Sequence, residues 1–127
     1  MHDNKNFYTG AASEFLVLSI LNRMHLNAFM SIGNSKSVDI IVQHSFDTAS
    51  TIDVKAVRGY SSFIVNNVKP FANHYICLVC YNNSFSDIKT LPEFFILPSN
   101  DINLIQKEFK DQKRVFKKDV LRYKDAW

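Results

Sequence analysis

The chain has 127 residues, 46% of them apolar and 13% aromatic, with only three glycines and three prolines. That is one domain's worth of chain with a single sizeable core, so a single domain is expected, and the composition excludes a disordered or collagenous chain and a repeat array. The net charge of +3 hides an asymmetry: residues 107–127 carry eight of the 15 Lys and Arg against four of the 12 acids, making that stretch +4 and the body −1.

No run approaches the ~20 apolar residues of a membrane span, and Met1 to Asn6 lacks a signal-peptide layout, so a soluble, cytoplasmic protein is expected. Phe7 to Met24 reads as a helix, with Phe7, Ala11, Leu18 and Leu21 at helical spacing and Asn6, Thr9 and Ser13 available as caps. Asn27 to Ile32 is compatible with a short first strand, and Gly33 to Ser37 is a turn cluster. Val38 to His44 and Thr51 to Val57 are rich in β-branched residues and are separated by a hairpin-length, turn-like Ser45 to Ser50, which predicts an antiparallel pair. After a loop around Gly59, Phe63 to Phe71 is open between a strand and a short helical piece. His74 to Tyr81 and Glu93 to Leu97 have the continuous apolar character of central strands. Ser99 or Asn100 then caps a helix reaching roughly Phe109, followed by a basic tail that is partly helical at best. A helix, a mixed sheet and a returning helix predict a single α/β domain with its sheet flanked by helices.

Three acids and one lysine sit where a purely structural reading does not want them. At about 100° per residue, Glu14 falls at the centre of the arc holding Phe7, Ala11, Val17, Leu18 and Leu21, and a carboxylate on a buried stripe must be paired, protonated or metal-bound. Asp39 interrupts one predicted strand, and Asp53 and Lys55 interrupt the next. With a side-chain period of two, Asp53 and Lys55 share a face opposite Ile52, Val54 and Ala56. A hairpin turn centred near Asp47 would set Asp39 opposite Lys55 and diagonal to Asp53, and a helix packed over that charged face would add Glu14. Hard oxygen ligands of this kind hold Mg²⁺, which stabilises phosphate charge and acidifies an attacking water, while a lysine beside it orients the nucleophile. The plain alternatives are a salt bridge for Glu14 and ordinary cross-strand ion pairs for the other three.

Glu14 on a first helix, then Asp39, then Asp53-Val54-Lys55, resembles the active-site pattern of the PD-(D/E)XK nuclease superfamily, the restriction-endonuclease-like and Holliday-junction-resolvase-like fold. The resemblance covers Thr9 to Ala56, including Gly10 to Phe15, which looks like the small-residue-then-glutamate opening of the resolvase-like members. Val38 stands where the family name has proline, and Asp53 where glutamate is commoner. The resemblance implies an αβββαβ core, metal ligation by Asp39 and Asp53 with Glu14 completing or supporting the site, water activation by Lys55, and Mg²⁺ or Mn²⁺ as cofactor. It implies an endonuclease acting on nucleic acid, DNA before RNA. Lys36, Arg58 and Lys69, with neighbouring Ser35, Ser37 and Ser61, are candidates for phosphate contact from flanking loops. So short a domain would select its substrate through loops, a homodimer or a partner chain, and a homodimer is expected. The alternative is a binding module on the same fold that docks nucleic acid or protein without cleavage. Cys77 and Cys80 point to opposite faces of a strand and read as core thiols, and the four histidines and three glycines form no metal or phosphate-loop motif.

Overall fold

A computed structural model describes residues 5–31, 38–60, 62–66 and 68–127; the predicted turn Gly33 to Ser37, Lys36 within it, and Ser61 lie outside them. The first element is helix α1, Lys5–Arg23, whose buried residues are Thr9, Ser13, Val17 and Leu21. This stripe differs from the expected one. Phe7 is 70% exposed, and Glu14 lies half-buried on the flank rather than at the centre of the buried face. The reason is shape: two small hydroxyl residues let the N-terminal half of the helix dock closely, and both hydroxyls find partners. Ser13 Oγ bonds the Thr9 carbonyl at 2.6 Å and the buried Tyr81 hydroxyl at 2.8 Å, while Thr9 Oγ1 accepts Arg58 Nε at 2.6 Å. Hydropathy periodicity cannot see a stripe made of hydroxyls. Tyr81→Phe is expected to cost about 1 kcal/mol, measured by urea denaturation, because Ser13 keeps its helix-internal bond and only the inter-element one is lost. The helix closes on His25 in the left-handed region (φ 65°), with Leu26 N donating to Leu21 O and His25 N to Asn22 O, a Schellman ending without glycine.

Five strands form the main sheet: β1 (Asn27–Met30), β2 (Ile40–Gln43), β3 (Ala49–Val57), β5 (His74–Cys80) and β6 (Glu93–Pro98), in the order β1-β2-β3-β5-β6. The pair β3 and β5 is parallel and the other pairs are antiparallel, so the sheet is mixed. The predicted hairpin is present, but its register is Ile40↔Ile52 and Ile41↔Thr51, with His44 N bonded to Thr48 O around a turn centred on Phe46. The turn is one residue tighter than expected, which shifts the pairing by two. Faces are unchanged by such a shift, but Asp39 comes into line with Asp53 instead of Lys55.

The strand β5 is shared between two cores. Cys77, Val79 and Tyr81 pack with Val17 and Leu21 of α1 and with Ile40, Val42, Ile52 and Val54. Ile76, Leu78 and Cys80 face the other way, against Phe63, Phe95, Ile102, Val115 and Val120. Both cysteines are free, buried thiols in different cores, as their spacing implied. The second core is covered by a small antiparallel sheet, β4 (Ser62–Ile64), β8 (Lys113–Phe116) and β7 (Lys107–Glu108), in that order, and by the single-turn helix α2 (Ile102–Ile105).

Three expectations are corrected here. The helix predicted from Ser99 to Phe109 is a 3-10 turn, Ser99–Asp101, running into the four residues of α2, because of its apolar residues only Ile102 is fully buried and Phe109 is 52% exposed. The strand β6 lies at the sheet edge, where Pro98 is tolerated, rather than centrally. Residues 107–127 are not an appended tail: Val115 and Val120 are fully buried, and Lys117 and Lys124 (3.1 Å) both pair with Glu93. The fold is therefore α/β with a mixed five-stranded sheet and one main helix. Helices do not flank both faces equally, and among the described residues 58–73, between β3 and β5, there is a short strand rather than a helix. Among the described residues no helix is long and apolar enough to cross a membrane.

Candidate active site

The site grows out of a length mismatch between neighbouring strands. β2 has four residues and β3 nine, so the pairing stops at Ile40↔Ile52 while β3 continues to Val57. Asp39 occupies the point where β2 gives out. Its backbone N donates to Ile52 O at 2.9 Å, and its side-chain Oδ2 accepts the backbone N–H of Val54 at 2.8 Å. The carboxylate takes the place of the next ladder carbonyl and is thereby held against Asp53. Ile52, Val54 and Ala56 turn toward the core beneath α1, which leaves Asp53 and Lys55 together on the opposite face, as the period of two predicts.

Asp53 is 2% exposed, and no donor among the described residues reaches its Oδ2. Lys55 Nζ lies 3.8 Å from Oδ1, an ion pair without hydrogen-bond geometry. Burial raises the Asp53 pKa to about 7. Lys55 opposes that rise, and Asp39, through its charge and through a hydrogen bond that exists only if the two carboxyl groups keep a proton, supports it, with Glu14 adding a smaller push. Glu14 is itself raised to about 7, first by burial and then by Asp39, with Lys55 again opposing. Three carboxyl groups thus act on one another with a single lysine between them. The cluster is short of positive charge, which is the state a cation relieves.

The structure therefore brings Asp39, Asp53 and Lys55 together directly and Glu14 electrostatically. The expectation that α1 packs over the charged face is not met. The helix covers the apolar face of β3, and Glu14 sits on its flank, beside the stretch of β3 that has lost β2 as a neighbour. Among the described residues no three His, Cys, Asp or Glu side chains are arranged to hold a metal ion. The acids that the hairpin end sets side by side are Asp39 and Asp53, and one or two carboxylates with retained waters is the ordinary protein share of a Mg²⁺ site. Of the candidate phosphate contacts, Lys36 lies outside the described residues, Lys69 is exposed on the loop before β5, and Arg58 is committed to α1 through Thr9 and stacks on Phe85 at 4.0 Å.

One participant was missed by sequence reasoning. His74 is 1% exposed, bonds Thr51 Oγ1 through Nδ1 at 2.7 Å, stacks on Phe71 at 4.2 Å and leaves Nε2 without a partner. Burial lowers its pKa, while Thr51 and the charge of Asp39 pull it upward. It shares the face of Asp53 through the pairing Thr51↔His74, a register that no local motif announces. Comparison with family models, with curated proteins and with solved structures gives no match for this chain.

Proposed function

We propose that this chain is a small metal-dependent endonuclease of the PD-(D/E)XK type, hydrolysing phosphodiester bonds of nucleic acid, with DNA the preferred substrate over RNA. The observation that carries the reading is that the end of the hairpin and the Asp39–Val54 N bond set Asp39 beside Asp53, which is buried and short of a donor, with Lys55 next to it and Glu14 within electrostatic reach. The order α1-β1-β2-β3, with the acids at the end of β2 and in the middle of β3, supports it and corresponds to the αβββ opening of the restriction-endonuclease-like core. The second half of that core is represented only by β5 and β6, without the intervening helix.

Asp39 and Asp53 would hold Mg²⁺ or Mn²⁺, with Glu14 in support, and the buried, donor-poor Oδ2 of Asp53 fits a hard cation. When bound, the ion supplies charge stabilisation to the phosphate and acidifies water. Lys55 presents its ammonium at the same carboxylates, where it orients a water for in-line attack and offsets negative charge developing on the phosphate. Asp39 has a further task, since its bond to Val54 N fixes the spacing of the pair.

The test is incubation of plasmid, single-stranded, branched and RNA substrates with Mg²⁺, Mn²⁺ or EDTA, beside Lys55→Ala. Cleavage that needs the metal and falls at least about a hundredfold without the lysine is expected, the lower range for a positioned general-catalytic group. Tight binding with no cleavage under any metal would replace this reading with a docking module.

A further inference from the structure

A cavity of about 350 Å³ opens beside Lys55, between the start of α1 and the small sheet. Four cations, Lys5, Lys55, Arg58 and Arg114, line it together with the hydroxyls of Thr9 and Ser62, and among the described residues no acid lines it. The two guanidinium groups are held by neutral partners. Arg58 donates to Thr9 Oγ1 (2.6 Å) and to the Lys5 carbonyl (3.3 Å), and Arg114 donates to Ser62 Oγ (2.8 Å) and Gln112 Oε1 (2.9 Å). Neither is paired with a carboxylate among the described residues. Each is fixed in direction, keeps its full charge and retains N–H donors for a ligand. This contrasts with Lys107, Lys113, Lys117 and Lys124 of the same C-terminal stretch, which face acids.

Resting on the nuclease reading above, we infer that this groove binds a backbone phosphate of the nucleic-acid strand, the one adjoining the phosphate placed at Asp39 and Asp53. Lys55 borders both places, so one strand can lie across the carboxylate pair and continue into the groove. The cavity has room for a phosphate group together with part of its sugar, its donors come from α1, β3, β4 and β8 with Arg58 just beyond β3, and the rigid forks of Arg58 and Arg114 suit phosphate oxygens. Arg114 comes from residues 107–127, so that stretch contributes to the site through one positioned residue rather than through its net charge.

The experiment uses the full chain in EDTA, where binding is read without cleavage. Backbone amide shifts are followed while 5′-phosphorylated dithymidylate, or inorganic phosphate, is added to the unmodified protein. Saturating shifts confined to the groove, residues 5–9, 55–59, 62–64 and Arg114, stronger for the dinucleotide, are expected. Shifts elsewhere, none at all, or equal affinity for inorganic phosphate would overturn the proposal. Anisotropy of a labelled single-stranded 15-mer gives the second arm. Arg114→Gln should weaken binding about tenfold, the worth of one charge-assisted hydrogen bond, and reduce the salt slope by about 0.7. Lys89→Gln, an exposed lysine outside the groove, serves as the control and should change neither. Unchanged affinity in Arg114→Gln overturns the groove even if the protein cleaves DNA; binding that depends on Arg114 in a protein that never cleaves leaves the groove standing and removes the nuclease reading.

Discussion

Asparagine in place of Asp53 is expected to make the protein more stable at pH 8 while abolishing metal-dependent cleavage. The carboxyl of Asp53 has a folded-state pKa of about 7 against an ordinary value of 3.8. Below the ordinary value both folded and unfolded states hold the proton, and the group contributes nothing to stability. Between there and about pH 7 the folded state keeps a proton that the unfolded state has released, so stability falls as pH rises, and above pH 7 the whole penalty is present. Asparagine carries no charge, and its amide offers Asp39 the donor that the pair lacks. At pH 8, without metal, Asp53→Asn should gain about 2 kcal/mol, or about 8 °C in melting temperature, and should flatten the decline of melting temperature between pH 5 and 8. Magnesium should stabilise the unmodified protein at pH 8 and leave the variant unmoved, because a cation binds the ionised pair only in the folded state. Cleavage should drop by at least about a thousandfold, several kcal/mol of transition-state stabilisation. A variant less stable than the parent at pH 8 would show that Asp53 is a structural carboxylate with its needs already met.

Deletion of residues 107–127 is expected to destroy the native state. By charge this stretch looked accessory. In the fold it supplies β7, β8 and the two fully buried valines Val115 and Val120 of the second core, and the Tyr123 hydroxyl donates to Asp101 at 2.8 Å. Removing it uncovers one face of β5 and strips Phe63 and Phe95 of their cover. Each large apolar side chain returned to water costs about 1.5–3 kcal/mol, and a domain of this size has only about 5–15 kcal/mol in total. The fragment 1–106 should lose its cooperative melting transition and bind hydrophobic dyes. A cooperative transition with unaltered near-ultraviolet dichroism would show that α1 and the five-stranded sheet stand alone.

The contrast between these two sites explains what could be seen in the residues alone. Asp53 and Lys55 were legible because a strand's period of two is rigid, and charge at alternate positions of a β-branched run has few structural uses. The hairpin was legible from its turn, but its register was not, since a turn of Ser45 to Ser50 composition closes equally well around Phe46 or Asp47. That one residue decided whether Asp39 met Lys55 or Asp53. The face of α1 was misread because Thr9 and Ser13 are buried for their hydroxyls, which hydropathy counts as solvent-seeking. Residues 107–127 were misread because eight cations dominate their composition, whereas two valines and the pairing of Ser62 with Phe116 decide their structure. His74 and Arg114 reach their places only through long-range pairing, which no local spacing encodes.

The early end of β2 has a consequence for how such a site could be lost. If β2 ran two residues further, a backbone carbonyl would take the Val54 amide, Asp39 would be pushed off the edge, and the sheet would close without any residue of the charged set being changed. Activity in this chain would then depend on an unfinished seam in the sheet as much as on its acids. An insertion or deletion in the segment joining β1 to β2 could silence the site while every charged residue in it stayed in place.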